Sequence, residues 1–240
     1  MKILAFDTSN KPLSVAVVVD GKVLAHLEST EKKTHSITIL PDIKKALREA
    51  NLSVNDLDMI AVAKGPGSYT GVRIAVTVAK TLADTLNKKL VGVSSLELLA
   101  ANGDKAHILV PLMDARNDNA FAGVYQNSRD KFVSIVGDHH TSMAKLFAQL
   151  EQYNEDQLEF INATPRLQEL IQNQFPNAKI LTTEDSLPDA AKLAQLAESK
   201  KPVTDIDSFV PTYLRLTQAE HDWYEQGHKD NGNVSYVEEV

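Results

Sequence analysis

Short apolar segments with the length of β-strands alternate with helical patterns over the first hundred residues, and this order constrains the fold more than any other feature. Residues 3–6 form an unbroken apolar run, which is typical of a strand buried on both faces. Two β-branched runs, at 13–19 and 23–27, flank an Asp20-Gly21 pair that predicts a tight hairpin. Further segments predict helices at 39–50 and 71–86 and strands at 59–63 and 90–93. The alternation predicts an α/β fold.

A polar break at residues 102–105 is the best boundary between two such units. Beyond it, the patterns predict strands at 108–113, 120–125 and 132–136, and helices near 143–150, 165–174 and 189–199. We therefore predict two lobes. Residues 1–104 form the first lobe, which residues 200–220 complete, and residues 105–199 form a smaller second lobe. Residues 221–240 form a polar, acidic tail.

The 240 residues include no cysteine and carry a formal net charge of -7, and these two facts exclude several function classes. Without cysteine there are no disulfides, thiolate zinc sites or cysteine nucleophiles. A protein that binds nucleic acid unaided usually presents a basic face, which this charge does not supply. No segment reaches the roughly 20 apolar residues of a membrane helix, and the N-terminal apolar run stops at Asp7, too early for a signal peptide. We expect a cytoplasmic protein without membrane contact.

Two turns have the polar groups and glycines that a phosphate site needs. Asp7-Thr8-Ser9 follows the first strand, where a carboxylate and two hydroxyls can hold a hydrated Mg²⁺ and a phosphate, although these residue types also favour ordinary turns. The glycine-rich segment 65–71 precedes a helix, whose N–H groups can bind an anion. Its spacing is neither that of Walker A nor that of a dinucleotide site, and a plain strand-to-helix turn explains it equally well. The phosphate-loop-like residues, functional or vestigial, are Asp7, Thr8, Ser9, Gly65, Gly67 and Ser68.

The helix predicted at about 71–86 has two apolar faces, whereas a surface helix needs one. Either the chain's own lobes cover both faces, or one face packs on a sheet and the other on a partner subunit. Small residues such as Ala75 and Ala79 would allow a second helix to approach closely. With the helix at 39–50 included, the predicted partner-interface residues are Ile39, Ile43, Leu47, Ile74, Ala75, Val78, Ala79 and Leu82.

The sequence contains no known pattern of catalytic or metal-ligating residues. His35 stands alone, and His139 and His140 are adjacent, so their side chains point in different directions. There is no His-x-x-x-His pair, no His-Glu-x-x-His and no Gly-x-Ser-x-Gly elbow. Asp114 and Arg116 follow a strand and could either bind an anion or brace the lobe. We predict no catalytic residue and no metal ligand in this chain.

Several motifs together resemble the TsaB, or YeaZ-type, family of bacterial proteins. The resemblance is carried by ILAFDTS at 3–9, His35-Ser36, GPGSYTGVR at 65–73, GVSSLE at 92–97, Asp114-Ala115-Arg116 and PTYLR at 211–215. It covers roughly residues 1–220. The segment 65–73 is highly specific, whereas residues 127–200 contribute little.

The resemblance implies a two-lobed α/β architecture with mixed sheets flanked by helices, which is the actin-like or sugar-kinase-like (ASKHA) fold. It also implies a part in making threonylcarbamoyladenosine (t6A), the modified adenosine beside the anticodon of tRNAs that read codons starting with A. In that family TsaD, a paralogue, transfers the threonylcarbamoyl group, and TsaE, a small ATPase, joins the assembly. The implied role of this chain is that of a non-catalytic scaffold that activates TsaD. It pairs with TsaD through helices, forms a homodimer when TsaD is absent, and meets tRNA only through the complex.

The residues at and after the GVSSLE motif indicate that this chain lacks the metal-binding histidines of TsaD. The paralogue carries two metal-binding histidines four residues apart, and Ser95 and Leu99 occupy those positions here. Leu99 has no lone pair, and a serine hydroxyl is a poor ligand. We expect no cofactor in this chain, apart from weak binding of ATP or ADP with Mg²⁺ at or near the partner interface. The alternatives are a free-standing ATPase or phosphotransferase built on Asp7 and the glycine-rich segment, or a peptidase, for which no nucleophile–base pair is evident.

Overall fold

The computed structural model describes residues 1–29, 35–128 and 131–215, and two five-stranded mixed sheets form its core. The strands of the first sheet are β1 (Lys2–Asp7), β2 (Leu13–Val19), β3 (Lys22–Ser29), β4 (Met59–Ala63) and β5 (Lys89–Val93). They lie in the order β3-β2-β1-β4-β5. The apolar run at 3–6 lies at the centre of this sheet because β1 pairs antiparallel with β2 and parallel with β4. Asp20 and Gly21 both have positive φ, as the predicted hairpin turn requires.

The second sheet repeats the arrangement of the first. Its strands are β6 (Ile108–Arg116), β7 (Asn119–Ser128), β8 (Lys131–Ser142), β9 (Leu158–Ala163) and β10 (Lys179–Thr182). Their order is β8-β7-β6-β9-β10, with antiparallel pairing through β6, β7 and β8 and parallel pairing through β6, β9 and β10. Two mixed sheets of the same topology, each flanked by helices, confirm the predicted actin-like fold.

Six helices cover the sheets within the described residues. They are α1 (His35–Glu49), α2 (Tyr69–Thr85), α3 (Ser95–Ala100), α4 (Met143–Leu150), α5 (Pro165–Gln174) and α6 (Ala190–Glu198). Helices α1 and α2 pack on one face of the first sheet, over a core that includes Phe6 and Ile60. Helices α4 and α5 pack on the second sheet around Phe160. None of these helices combines the length and apolar character that crossing a membrane requires.

We call the residues through α3 the first half of the chain and those from β6 onward the second half. One helix of each half packs on the sheet of the other. Helix α3 follows β5, yet Leu96 and Leu99 pack against Leu109 and Tyr125 of the second sheet. Helix α6 lies within the range that we expected for the second lobe, yet it covers the free face of the first sheet. The physical reason is that α6 presents mostly alanine, which lets it lie close to the small side chains of β1 and β2.

The segment that follows α6 returns along the first half of the chain. The Val203 amide donates to the Leu90 carbonyl at 2.8 Å, and the Thr212 amide donates to the Lys64 carbonyl at 2.8 Å. Residues 216–220 and the tail at 221–240 lie outside the described residues. The lobe boundaries proposed from the sequence therefore stay a prediction.

The packing of α6 predicts a large effect for a change at its buried face. Leu193 is fully buried, so Leu193→Ala should lower the free energy of unfolding by about 2–5 kcal/mol. Gln195 lies on the exposed side of the same helix, and Gln195→Ala should change it by less than about 0.5 kcal/mol. Urea unfolding measures both. Equal stability of the two variants would contradict the placement of α6.

Candidate functional site

The turn after β1 and the glycine-rich segment are packed against each other. Asp7, Thr8 and Ser9 are 0%, 0% and 1% exposed. The Thr8 hydroxyl donates to the Gly71 carbonyl at 2.7 Å, and the Ser68 amide donates to the Ser9 carbonyl at 2.8 Å. The two segments that the sequence singled out as phosphate-loop-like are therefore brought together, and they bind each other.

The glycines in this segment make the close approach possible. A Cβ atom on Gly67 would collide with the Ser9 carbonyl oxygen, and one on Gly71 would collide with that of Thr8. A Cβ on Gly65 would lie 2.6 Å from the Thr212 carbonyl oxygen. These glycines therefore serve contact between backbone segments. Binding of a phosphate at this turn, or of a nucleotide at a partner interface, stays a prediction.

Asp7 is a buried carboxyl group with one unsatisfied oxygen. Its Oδ1 accepts from the Ser9 amide at 2.7 Å, while Oδ2 has no hydrogen-bond partner. Burial raises the pKa of Asp7 to about 6, although the hydrogen bonds from Ser9 and the nearby His35 act in the opposite direction. The group therefore holds its proton at mildly acidic pH.

The two apolar faces of α2 have different surroundings. Ile39, Ile43 and Leu47 of α1, and Ala75 and Ala79 of α2, are buried in the chain's own core at 4% exposure or less. Their role in a partner interface stays a prediction, and the structure places them beneath the surface.

Ile74, Val78 and Leu82, the other predicted interface residues, are half-buried and pack at the edge of the same core. An apolar groove runs between α1 and α2 beside Ile74 and Val78. Two of its lining residues that the sequence analysis did not select are exposed, Leu40 to 53% and Tyr69 to 45%. Ile37, one turn before Leu40 on α1, is 71% exposed. Their helical spacing alone could not show which side of α1 faces away from the sheet. We call the surface formed by these residues the α1–α2 groove.

An aromatic and cationic stack joins the groove to residues 211–215. The Arg73 guanidinium carbon lies 4.0 Å from the centroid of the Tyr69 ring and 5.6 Å from that of Tyr213. The Arg73 Nε also donates to the Tyr213 hydroxyl at 2.6 Å. Since cation–π contacts and a hydrogen bond act together here, this stack anchors the end of the described chain on α2. Tyr69 and Arg73 are neighbours on α2, but the sequence could not show the stack because Tyr213 lies 140 residues after Arg73.

Ser95 and Leu99, which the sequence resemblance predicts to replace the TsaD histidines, are part of the protein core. Ser95 is 1% exposed, and its hydroxyl oxygen accepts from the Gly65 amide at 3.2 Å. Leu99 is fully buried in the apolar cluster beneath α3. Across residues 1–29, 35–128 and 131–215, no group of three or more His, Asp or Glu side chains is arranged to hold a metal ion.

A Ser–His–Asp cluster exists, but its geometry does not match a catalytic triad. The His26 Nε2 lies 3.2 Å from the Ser14 hydroxyl and 3.3 Å from Asp189 Oδ1. A triad uses one ring nitrogen for the serine and the other for the aspartate. Ser14 also accepts from the Ala190 amide at 3.0 Å, and Asp189 accepts from the first turn of α6. The cluster therefore caps α6.

Asp114 and Arg116 also serve the local backbone. Asp114 Oδ1 accepts from the Arg116 amide at 2.7 Å, and its Oδ2 accepts from the Thr164 hydroxyl at 3.2 Å. Arg116, Asn117 and Asp118 all have positive φ in the turn between β6 and β7. The aspartate thus stabilises a tight hairpin turn.

Comparison with known proteins decides the family. A family model described as TsaD, tRNA N6-adenosine threonylcarbamoyltransferase, matches residues 22–223. The tRNA threonylcarbamoyladenosine biosynthesis protein TsaB of Bacillus subtilis is 37% identical over 94% of this chain and 99% of its own length. The chain belongs to the TsaB family. The TsaB of Haemophilus influenzae is 28% identical over 90% of this chain and 94% of its own length.

Solved structures of the same type share the fold of this TsaB-family chain. The structure of YeaZ from Pseudomonas aeruginosa has a TM-score of 0.73 at 24% identity and covers 89% of this chain and 99% of its own. A second structure, of an uncharacterized protein with similarity to peptidase YEAZ from the same organism, has a TM-score of 0.76 at 26% identity, with coverages of 89% and 99%. The resemblance stated from the sequence motifs is thereby confirmed.

The close contact at Gly71 predicts that a glycine-to-alanine change lowers the stability of the protein, although the same change stabilises an ordinary helix. In an ordinary helix this change is favourable by about 1 kcal/mol. Here the new methyl group would meet the Thr8 carbonyl, so Gly71→Ala should destabilise the protein by about 1–3 kcal/mol. Gly137→Ala is the matched control, because a Cβ there meets nothing within 4 Å. Thermal unfolding compares the two, and a stabilised Gly71→Ala protein would contradict the contact.

Burial of Asp7 predicts a distinct pH dependence of stability. Its folded pKa of about 6 lies above the ordinary aspartate value of 3.8, so the stability that the neutral acid contributes is present at pH 4 and is lost as the pH rises to 6. Asn cannot ionise, and Asp7→Asn should therefore be more stable than the wild type at pH 7 by at most about 3 kcal/mol. The advantage should shrink toward pH 4 in urea unfolding.

The control for this experiment is an exposed aspartate. The pKa of Asp56 is lowered by hydrogen bonds from Ser53, so Asp56→Asn should be less stable than the wild type above about pH 4, and this difference should fade as the pH falls through the lowered pKa. An advantage of Asp7→Asn that does not vary with pH would contradict the raised pKa.

Proposed function

We propose that this chain is a non-catalytic partner of TsaD in the biosynthesis of threonylcarbamoyladenosine in tRNA. In this proposal it acts in the cytoplasm as a scaffold that activates TsaD, and TsaE joins the same assembly. Membership of the TsaB family and the match to the TsaD family model support the pathway. The resemblance of the sequence motifs supports the assignment of partners.

The observation that carries the proposal is the α1–α2 groove. Ile37 and Leu40 are more than half exposed although they belong to an otherwise amphipathic helix. Burying a side chain of this kind contributes about 1.5–3 kcal/mol. Several such residues, together with half-buried Ile74, Val78 and Leu82, are enough to offset the cost of association. The groove has the character of a surface that a partner covers.

A related chain is the partner that best fits this surface. The TsaD family model matches residues 22–223, which include both α1 and α2. A TsaD chain would therefore present equivalent helices, and two such helix pairs can pack about an approximate two-fold axis. The same geometry permits a homodimer of this chain when TsaD is absent.

The burial of Ser95 and Leu99 supports a non-catalytic role, because these residues fill the positions of the TsaD histidines with a hydrogen-bonded hydroxyl and a core side chain. The net charge of -7 supports contact with tRNA through the complex only. An assay of tRNA modification with TsaD, TsaE and this chain omitted in turn tests the role. Activity should require this chain, and modification by this chain alone would overturn the proposal.

The interface predicts which substitutions break the complex. Leu40→Glu and Val78→Glu would each bury a carboxylate against apolar residues of TsaD, and each should weaken association by at least tenfold. Analytical gel filtration of this chain with TsaD from the same organism measures the effect.

The matched control is Ala144→Glu, since Ala144 is exposed on α4 in the other half of the chain. This variant should bind TsaD as the wild type does. Circular dichroism checks that all three variants are folded. Unchanged association of both groove variants would refute the interface.

A further inference from the structure

A second concave surface lies between the two halves of the chain, away from the α1–α2 groove. It is a cleft of about 340 Å³. Lys64 and Ser94, two of its lining residues, follow directly after the parallel strands β4 and β5. In open α/β sheets, the crevice outside the carboxyl ends of the strands is the usual place for a ligand. The volume lies in the range of sites for small molecules.

The floor of this cleft is a built polar network. Asp138 on β8 accepts hydrogen bonds from the hydroxyl groups of both Ser94 and Tyr125. Gly123 leaves room for this carboxylate, because a Cβ there would lie 2.6 Å from Asp138 Oδ1. Both oxygens of Asp138 are thus engaged, and the network fixes the walls from both halves of the chain.

Of the two lysines that line the cleft, Lys64 is the one whose ammonium group can bind an anionic ligand. Lys200 is paired with Glu97 at 2.8 Å. The side-chain ammonium of Lys64 has no hydrogen-bond or ion-pair partner among the residues that the structure describes, although it lies near enough to the carboxylate of Asp138 to interact with it. Phe132 and Leu214 supply an apolar wall. A lysine ammonium beside an apolar wall suits a ligand with one anionic group and a flat or aliphatic body.

We propose that this cleft binds a small organic anion, with its carboxylate or phosphate held by Lys64 and its apolar body against Phe132 and Leu214. The site is separate from the α1–α2 groove, so the proposal does not depend on the proposed function. It assigns to the chain a small-molecule site at the ends of β4 and β5. The turn after β1, by contrast, is in contact with the glycine-rich segment.

The test titrates the ¹⁵N-labelled full chain with four probes and follows amide chemical shifts. Phenyl phosphate and benzoate share a ring and differ in the anionic group, so their relative affinities distinguish phosphate from carboxylate. Phenol has the ring without the charge at neutral pH, and inorganic phosphate has the charge without the ring. At least one ring anion should shift residues around the cleft, and both controls should bind at least about tenfold more weakly.

Variants connect any binding to the cleft. Lys64→Met should weaken the ring anion at least about tenfold, while Lys145→Met, an exposed lysine on α4, should leave binding unchanged. Ser134→Glu places a negative charge at the exposed rim of the cleft and should weaken the same probe, which keeps the test decisive if Lys64→Met does not fold. Absence of binding by both ring anions, or binding that neither cleft variant alters, would overturn the proposal.

Discussion

Direct backbone contact between the turn after β1 and the glycine-rich segment is the constraint on which the first half of the molecule depends. The Ser68 amide bonds to the Ser9 carbonyl, and Thr8 bonds to the carbonyl of Gly71 at the start of α2. These contacts hold α2 against the sheet, and α2 in turn sets one wall of the α1–α2 groove. Any larger side chain at Gly67 or Gly71 would push α2 away, so the position of the α1–α2 groove depends on these buried backbone contacts.

The same contact explains why a loop that looks suited to phosphate has a different use here. Glycine lets a backbone approach an anion, but it equally lets two backbone segments approach each other. In this chain the structure shows the second use, and the carboxyl group of Asp7 in the same turn is buried. The accessible ends of the parallel strands are instead those of β4 and β5, beside Lys64 and Ser94.

Much of the fold could be predicted from the sequence because its signals are local. The apolar run of β1, the Asp20-Gly21 hairpin and the periodicity of α1 and α2 each depend on neighbouring residues. Strands β9 and β10 were missed, since buried Glu159 and Asn162 interrupt the first and the second has only four residues. The site was less predictable: helical spacing marked Ile39 and Ile43 as apolar without showing that they face inward. The stack of Tyr69, Arg73 and Tyr213, and the meeting of Ser94 with Asp138, depend on contacts across the whole chain.

The exchange of helices between the halves has a consequence for how the chain can be divided. Helix α3 covers the second sheet with Leu96 and Leu99 while Leu98 packs with the first, and α6 from the second half covers the first sheet. A helix of each half therefore covers part of the apolar face of the other half's sheet. Neither half has a complete hydrophobic core without that helix. Although the repeated topology has the form of a duplicated gene, the two copies are interlocked. We therefore expect the two halves to unfold together, because separation of either half would expose the apolar face that the other half covers.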